Sequence, residues 1–105
     1  MIEEIEAGQK RLVILVRRDL PWSVRCVQSA HAVAQWTRRT SINIEEWGKY
    51  GPSFVLYGVS DVEELEEWAA KLGAECVLFR EPDLGEEATA LAYYGEARLE
   101  GLYLL

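Results

Sequence analysis

A run of five large apolar residues at positions 12–16 constrains the fold of this 105-residue chain more than any other feature. Three of the five are β-branched, and an unbroken apolar run of this length is typical of a strand that is buried on both faces. In one short domain, such a strand lies at the centre of a sheet with helices on each side. Arg17, Arg18 and Asp19 follow the run directly. They therefore fall at the carboxyl end of the strand, where ligands usually bind in open α/β sheets.

The rest of the chain alternates helical and extended patterns within a single domain, residues 1–105. The patterns predict, in order, a helix over 23–39, a short helix over 44–50, a strand over 54–59, a helix capped by Ser60 and ended by Gly73, and strands over 76–79 and 88–94. The last two strands are joined too tightly for a parallel crossover, so the sheet is mixed and the fold class is α/β. The apolar tail that follows Gly95 either closes the core or makes a subunit contact.

The helix over 23–39 has two distinct stripes of side chains. At 100° per residue, one side gathers small residues that would let the helix lie close to the sheet, namely Cys26, Val27, Ala30, Val33, Ala34 and Thr37. A second stripe lies on its flank and consists of Val24, Gln28, His31, Gln35 and Arg38. The first stripe is predicted to face the core. The second is predicted to border the sheet edge and is the candidate functional surface.

Charge and composition restrict the kinds of function that fit. The net charge is −7, but residues 1–40 hold seven basic and four acidic groups, whereas residues 41–105 hold four basic and fourteen acidic groups. Any anion must therefore bind a local patch. Two cysteines and one histidine cannot form a four-ligand zinc site, and no cofactor-binding motif occurs, so neither a metal nor a cofactor is predicted. The acidic amino terminus lacks signal-peptide features, and no apolar run approaches the roughly 20 residues of a membrane span, which predicts a cytoplasmic protein without membrane contact.

Three short motifs occur in a recognisable order. Residues 16–20 read Val-Arg-Arg-Asp-Leu after the first strand, residues 28–32 read Gln-Ser-Ala-His-Ala, and residues 83–85 read Asp-Leu-Gly before Thr-Ala-Leu-Ala at 89–92. In this arrangement the chain resembles the type 2 peptidyl-tRNA hydrolases over roughly residues 11–94. The resemblance implies a three-layer α/β/α sandwich around a four-stranded mixed sheet, commonly as a homodimer. It also implies cleavage of the ester that joins a peptide to the 3′ ribose of tRNA, with the tRNA acceptor arm as partner.

The resemblance also implies site residues. Asp83 and Thr89 match the family's aspartate and later threonine, and Gln28 and His31 match its helix motif. The family's Gly-Lys pair is replaced by Ser23 and Val24, the loop after Leu20 is two residues shorter, and the threonine four residues after the aspartate is Glu87. Arg25 lies one residue from the lysine's place; its guanidinium can hold a phosphate or an oxyanion but cannot act as a base.

The candidate catalytic residues are accordingly Asp83 to orient or deprotonate a water, Thr89 to position it, Arg25 to steady charge, and His31 as a second candidate base. The candidate substrate-binding residues are Arg17, Arg18, Asp19, Gln28 and Arg38. Each has an ordinary alternative. His31 would bond to a strand-end carbonyl or to Asp19, Asp83 would be a turn aspartate, and the arginines would pair with carboxylates of the same chain. The alternative function is a non-catalytic binding or assembly module on the same fold; hydrolysis of a smaller acylated metabolite is a third.

Overall fold

The computed structural model describes residues 5, 8–39, 42–49 and 53–105. Its five strands are β1 (Lys10–Arg17), β2 (Phe54–Val59), β3 (Cys76–Glu81), β4 (Glu87–Glu96) and β5 (Tyr103–Leu104). They form one mixed sheet in the order β3-β4-β1-β2-β5. β1 is parallel to β2 and antiparallel to β4, and it lies at the centre of the sheet. Its residues 12, 13, 15 and 16 have no exposed surface, which confirms the prediction of a strand buried on both faces.

One edge of the sheet collects the ends of β1, β3 and β4, together with the carboxyl end of β2. β1 pairs with β4 so that Val16 lies opposite Ala90, and β3 pairs with β4 so that Glu81 lies opposite Glu87. The carboxyl ends of β1 and β3 and the amino end of β4 therefore meet there. The polar residues that follow the central strand lie at this edge, as the sequence predicts.

The helices α1 (Trp22–Arg39), α2 (Ile42–Lys49) and α3 (Val62–Leu72) cover both faces of the sheet. On one face, Leu12 and Val16 share a core cluster with Trp36 of α1. On the other, Val13 and Leu15 of β1 share a cluster with residues of α3. The α/β class is confirmed. No helix of the described ranges is both long enough and apolar enough to cross a membrane.

The sheet has five strands rather than the four that the resemblance implies. The additional strand comes from the apolar tail, in which Tyr103 and Leu104 pair with β2. Leu99 and Leu102 of the tail are buried in the core beside α3. The tail therefore closes the core, which is one of its two predicted roles.

The orientation of α1 differs from the prediction. Its buried residues are Gln28, Ala32 and Trp36, which recur every four positions. The small-residue stripe is predicted to be buried but lies on roughly the opposite side of the helix, where all but the half-buried Val33 are exposed. Burial of the Trp36 indole removes more apolar surface from water than burial of any one of the small side chains. Its ring contacts those of Trp47 and Tyr94, with centroid distances of 5.8 and 6.2 Å, so aromatic packing sets the rotation of the helix.

The start of α3 is shifted by one residue from the prediction. The N-cap is Asp61 rather than Ser60, because the Asp61 carboxylate accepts the Glu64 N–H at 2.9 Å. The Glu64 carboxylate in turn accepts the Ser60 N–H at 2.6 Å. Gly73 ends the helix with a φ of 69°, as predicted.

Candidate active site

A buried chain of hydrogen bonds joins α1 to the strand-end edge. The Thr89 hydroxyl donates to Gln28 Oε1 at 2.6 Å, and Gln28 Nε2 donates to Glu81 Oε1 at 2.8 Å. Thr89 is fully buried and Gln28 is 4% exposed. A polar chain in such a site is stable only because each member has its partner.

A bulge in β4 points Thr89 at the helix. Phe79 pairs with Ala90 and Arg80 pairs with Ala88, so β4 contains one more residue than β3 at this point, and that residue is Thr89. Strict alternation would place Thr89 on the face of Leu91 and Tyr93, which pack in the cluster of α3. The extra residue instead turns the Thr89 side chain to α1. Bulges of this kind re-aim side chains next to functional sites.

The Glu81 carboxylate sets the donor and acceptor of each hydrogen bond between Thr89, Gln28 and Glu81. An ionised carboxylate only accepts, so the Gln28 amide must present its nitrogen to Glu81 and its oxygen to Thr89. The Thr89 hydroxyl is then left only as a donor to Gln28. The Gln28 amide, followed by the Asp83 N–H, lowers the pKa of Glu81. Glu81 therefore carries its charge at neutral pH.

Glu81 also holds the turn that carries Asp83. The turn is a single 3₁₀ turn over Pro82–Leu84, and the Glu81 carboxylate caps it by accepting the Asp83 N–H at 3.3 Å. The side chain of Asp83 lies on this exposed turn. The buried chain from Thr89 through Gln28 to Glu81 therefore ends on the backbone of the candidate base.

Arg17 clamps the end of β1 to the start of β4. Its Nε and Nη2 atoms donate to the two carboxylate oxygens of Asp19 at 2.9 and 2.8 Å. Its Nη1 donates to the Glu87 carboxylate and, at 3.0 Å, to the Ala88 carbonyl. The bidentate bond from Arg17 lowers the pKa of Asp19, and Asp19 raises the pKa of Arg17. Arg17 is 6% exposed, so this guanidinium is enclosed by groups of its own chain.

The next two arginines also bond to the protein itself. Arg25 donates from Nε to the Leu20 carbonyl at 2.7 Å and from Nη2 to the Arg18 carbonyl, and its guanidinium carbon lies 5.6 Å from the ring centroid of Trp22. Arg18 donates to the Leu104 carbonyl at 3.1 Å and thereby ties the loop to β5. These contacts hold the loop between β1 and α1. Arg25, which takes the place nearest to the family's lysine, bonds to backbone rather than to Asp83 or Thr89.

An open groove of about 790 Å³ lies between α1 and the edge strand β3, and we call it the α1–β3 groove. The His31 ring stacks on Phe79 with a centroid distance of 4.9 Å and an angle of 6° between planes. The charged and aromatic residues that line the groove are His31, Arg38, Arg39, Phe79, Arg80 and Glu86. His31 follows Gln28 by three residues, and the groove residue Pro82 follows Glu81, so the groove begins where the buried chain ends.

Some of the predicted site residues are hydrogen-bonded to one another, and others line the groove or the turn beside it. Thr89 and Gln28 are hydrogen-bonded, as are Arg17 and Asp19. His31 and Arg38 line the groove, and Asp83 lies on the neighbouring turn. For the arginines the ordinary alternative holds in part, because Arg17 pairs with carboxylates of its own chain.

Sequence reasoning missed Glu81, Glu87, Phe79 and Arg80. For Glu81 and Phe79 a signal was present, because the alternation of Val77, Phe79 and Glu81 along one strand places all three on the face that packs against α1. Glu87 is recognisable only once the pairing of β3 with β4 is known.

No family model matches this chain, and no curated protein matches it in sequence. Within the ranges that the structure describes, no group of three or more His, Cys, Asp or Glu side chains is placed to hold a metal ion.

Proposed function

We propose that this protein hydrolyses the ester between an acyl or peptidyl group and the 3′ ribose of tRNA, as a divergent relative of the type 2 peptidyl-tRNA hydrolases. The observation that carries the proposal is the buried chain from Thr89 through Gln28 to Glu81, which fixes the turn of Asp83 beside an open groove. A catalytic carboxylate has to be held in place relative to its substrate, and these hydrogen bonds support the turn that carries it.

In the proposed mechanism Asp83 is the catalytic residue. Its carboxylate accepts a proton from a water that attacks the ester carbonyl, and the ribose 3′ oxygen leaves with a proton from solvent. Thr89 has no exposed surface, so it is a positioning residue that acts through Gln28 and Glu81 rather than by touching the water.

The test is single-turnover deacylation of an N-acetylated aminoacyl-tRNA at low salt and high enzyme concentration. Asp83→Asn is expected to lower the rate by about 100-fold or more, because general base catalysis contributes about 10²- to 10⁴-fold. Glu67→Gln removes the same charge from an exposed position on α3 and is expected to leave the rate unchanged. Thr89→Ser keeps the hydroxyl and is expected to retain more activity than Thr89→Val. A folded wild-type chain that releases no acyl group refutes the enzyme.

The second candidate is a non-catalytic binding module on the same fold. The bonding of Arg25 to loop carbonyls favours it, because the position nearest to the family's lysine then offers no free cation to a reacting group. In that case the α1–β3 groove binds its ligand and Asp83→Asn changes nothing that can be measured.

The proposal retains two expectations about context, namely a cytoplasmic location and a homodimer. Val27 is 52% exposed on the side of α1 away from the sheet, and Trp22 is 61% exposed at the start of the helix, so α1 has apolar surface that the described residues do not cover. Sedimentation of the chain as a monomer at micromolar concentration removes the dimer from the proposal.

A further inference from the structure

We infer that the α1–β3 groove binds the phosphodiester backbone of a single-stranded RNA end, with one unpaired base stacked on His31. The inference deepens the proposed function and rests on it for one point, the choice of an RNA end. Of the arginines that the sequence predicts to bind substrate, it assigns the contact with the nucleic acid to Arg38 and not to Arg17 and Arg18.

The arginines between residues 17 and 39 divide into two groups. Arg17, Arg18 and Arg25 have their guanidinium donors bonded to carboxylates or backbone carbonyls of the chain. Arg38 and Arg39 are exposed at the last turn of α1, and within the described residues neither guanidinium makes a hydrogen bond or an ion pair. The second group is therefore the one with donors available to a phosphate.

A third cation joins them from the sheet. Arg80 lines the same groove, and its Nη2 lies 3.1 Å from the Glu66 carboxylate with both side chains close to half exposed. Exposed ion pairs of this kind contribute little to stability, so a phosphate can replace Glu66. The whole chain carries a net charge of −7, whereas the groove lining holds Arg38, Arg39 and Arg80 against the carboxylate of Glu86. An anionic strand is repelled from most of the surface and is drawn to this groove.

Charge alone does not identify the ligand, since Arg38 and Arg39 also complement the carboxyl end of the α1 dipole. The aromatic pair supplies the second observation. The His31 ring is nearly parallel to Phe79 and is exposed, so its outer face is open to a further planar group. A line of cations beside an open ring is how proteins bind single strands, whose bases are free to stack.

The test measures fluorescence anisotropy of a labelled single-stranded RNA octamer at several salt concentrations. The triple variant Arg38→Gln, Arg39→Gln, Arg80→Gln is expected to weaken binding and to lower the slope of log affinity against log salt by about 2. Each phosphate contact on a single strand contributes about 0.7 to that slope. The matched control Lys10→Gln, Lys49→Gln, Lys71→Gln removes three cations outside the groove lining and is expected to leave the slope unchanged.

The stacking part is tested at the single histidine. His31→Ala is expected to weaken binding about tenfold with the salt slope unchanged, because stacking is not an ionic contact. His31→Phe is expected to restore most of the affinity. An equal loss of salt slope in the two triple variants refutes phosphate binding in the α1–β3 groove. Full affinity in His31→Ala refutes stacking of a base on His31.

Failure of the proposed function is distinguishable from failure of this inference. A chain that binds the RNA octamer through the groove but releases no acyl group supports the groove and refutes the hydrolase. Deacylation of tRNA by the wild-type chain supports the hydrolase. If the two triple variants then show the same salt slope for RNA binding, phosphate binding in the groove is refuted. Equal affinity for the DNA octamer of the same sequence overturns the assignment to RNA.

Discussion

The hydrogen bond between Thr89 and Gln28 has a measurable energetic signature. Thr89→Val keeps the side-chain shape but leaves Gln28 Oε1 facing a methyl group in a buried site. Gln28→Leu leaves the fully buried Thr89 hydroxyl without its acceptor. An unpaired buried polar group costs about 1–3 kcal/mol, so each single variant is expected to lower the free energy of unfolding by that amount. For a domain of this size, that corresponds to a fall in Tm of about 4–12 °C.

The double variant separates this explanation from a simple loss of packing. With both partners apolar, no unpaired atom remains between them, and Glu81, which is only half-buried, takes its hydrogen bond from water. The double variant is therefore expected to be no less stable than the worse single variant, with a coupling energy of about 1–3 kcal/mol.

The assay is urea unfolding followed by tryptophan fluorescence for the four chains of the cycle. The control cycle combines Gln28→Leu with Thr37→Val, since the Thr37 hydroxyl bonds to the Ala34 carbonyl on the exposed side of the same helix. That control is expected to be additive within about 0.5 kcal/mol. Additive energies in the first cycle as well would refute the buried hydrogen bond and the support that it gives to the site.

Three further predictions concern other parts of the fold. Gly58→Ala is expected to lower the free energy of unfolding by about 1 kcal/mol in urea, because an added Cβ overlaps the exposed Arg18 side chain, which has to move aside; a neutral result contradicts that packing. The pKa of Asp19 is lowered in the folded state, so its ionised carboxylate stabilises the fold at neutral pH, and this stabilisation is lost as the pH falls through the pKa of the folded state. Asp19→Asn is therefore expected to flatten the decline in urea midpoint between pH 7 and pH 3. Trp36→Ala is expected to cost about 3–5 kcal/mol and Val27→Ser less than about 0.5 kcal/mol, and the reverse order contradicts the observed rotation of α1.

The central strand and its polar end were predictable because they depend only on local sequence. Five apolar residues in a row have few places in a small domain other than the middle of a sheet. The residues that follow must then lie at its edge, and Arg17 and Asp19 do. The tail was left open between two roles, since an apolar tail satisfies either a core or a partner equally well.

The rotation of α1 was not predictable from periodicity alone. The helix carries two stripes that are each compatible with burial, and the choice between them depends on partners from distant segments. Trp36 is buried because Trp47 and Tyr94 surround it, and Gln28 is buried because Thr89 and Glu81 bond to its amide. A helical wheel places Gln28 away from the core because it is polar, and its burial is explained only by its partners.

The position of Thr89 depends on the register between two strands. Its direction is set by a bulge that appears only when β4 pairs with β3, and neither strand alone contains a signal for it. The same pairing brings Glu81 next to Glu87. Motif likeness predicts Thr89 as a site residue, whereas the structure shows that its side chain is buried and bonded to Gln28.

The position of Arg25 restricts how a hydrolase on this fold could work. Arg25 holds the loop before α1 through the carbonyls of Arg18 and Leu20, so a hydrolase built on this chain has to draw its rate from a positioned carboxylate and from substrate held in the groove. Binding energy from remote phosphates can orient a reacting ester, which makes the groove part of such a mechanism. A binding module needs the groove, and for it the buried hydrogen bonds that end on the turn of Asp83 serve only the stability of the fold. Asp83→Asn therefore separates the two functions, since only a hydrolase loses its rate in that variant.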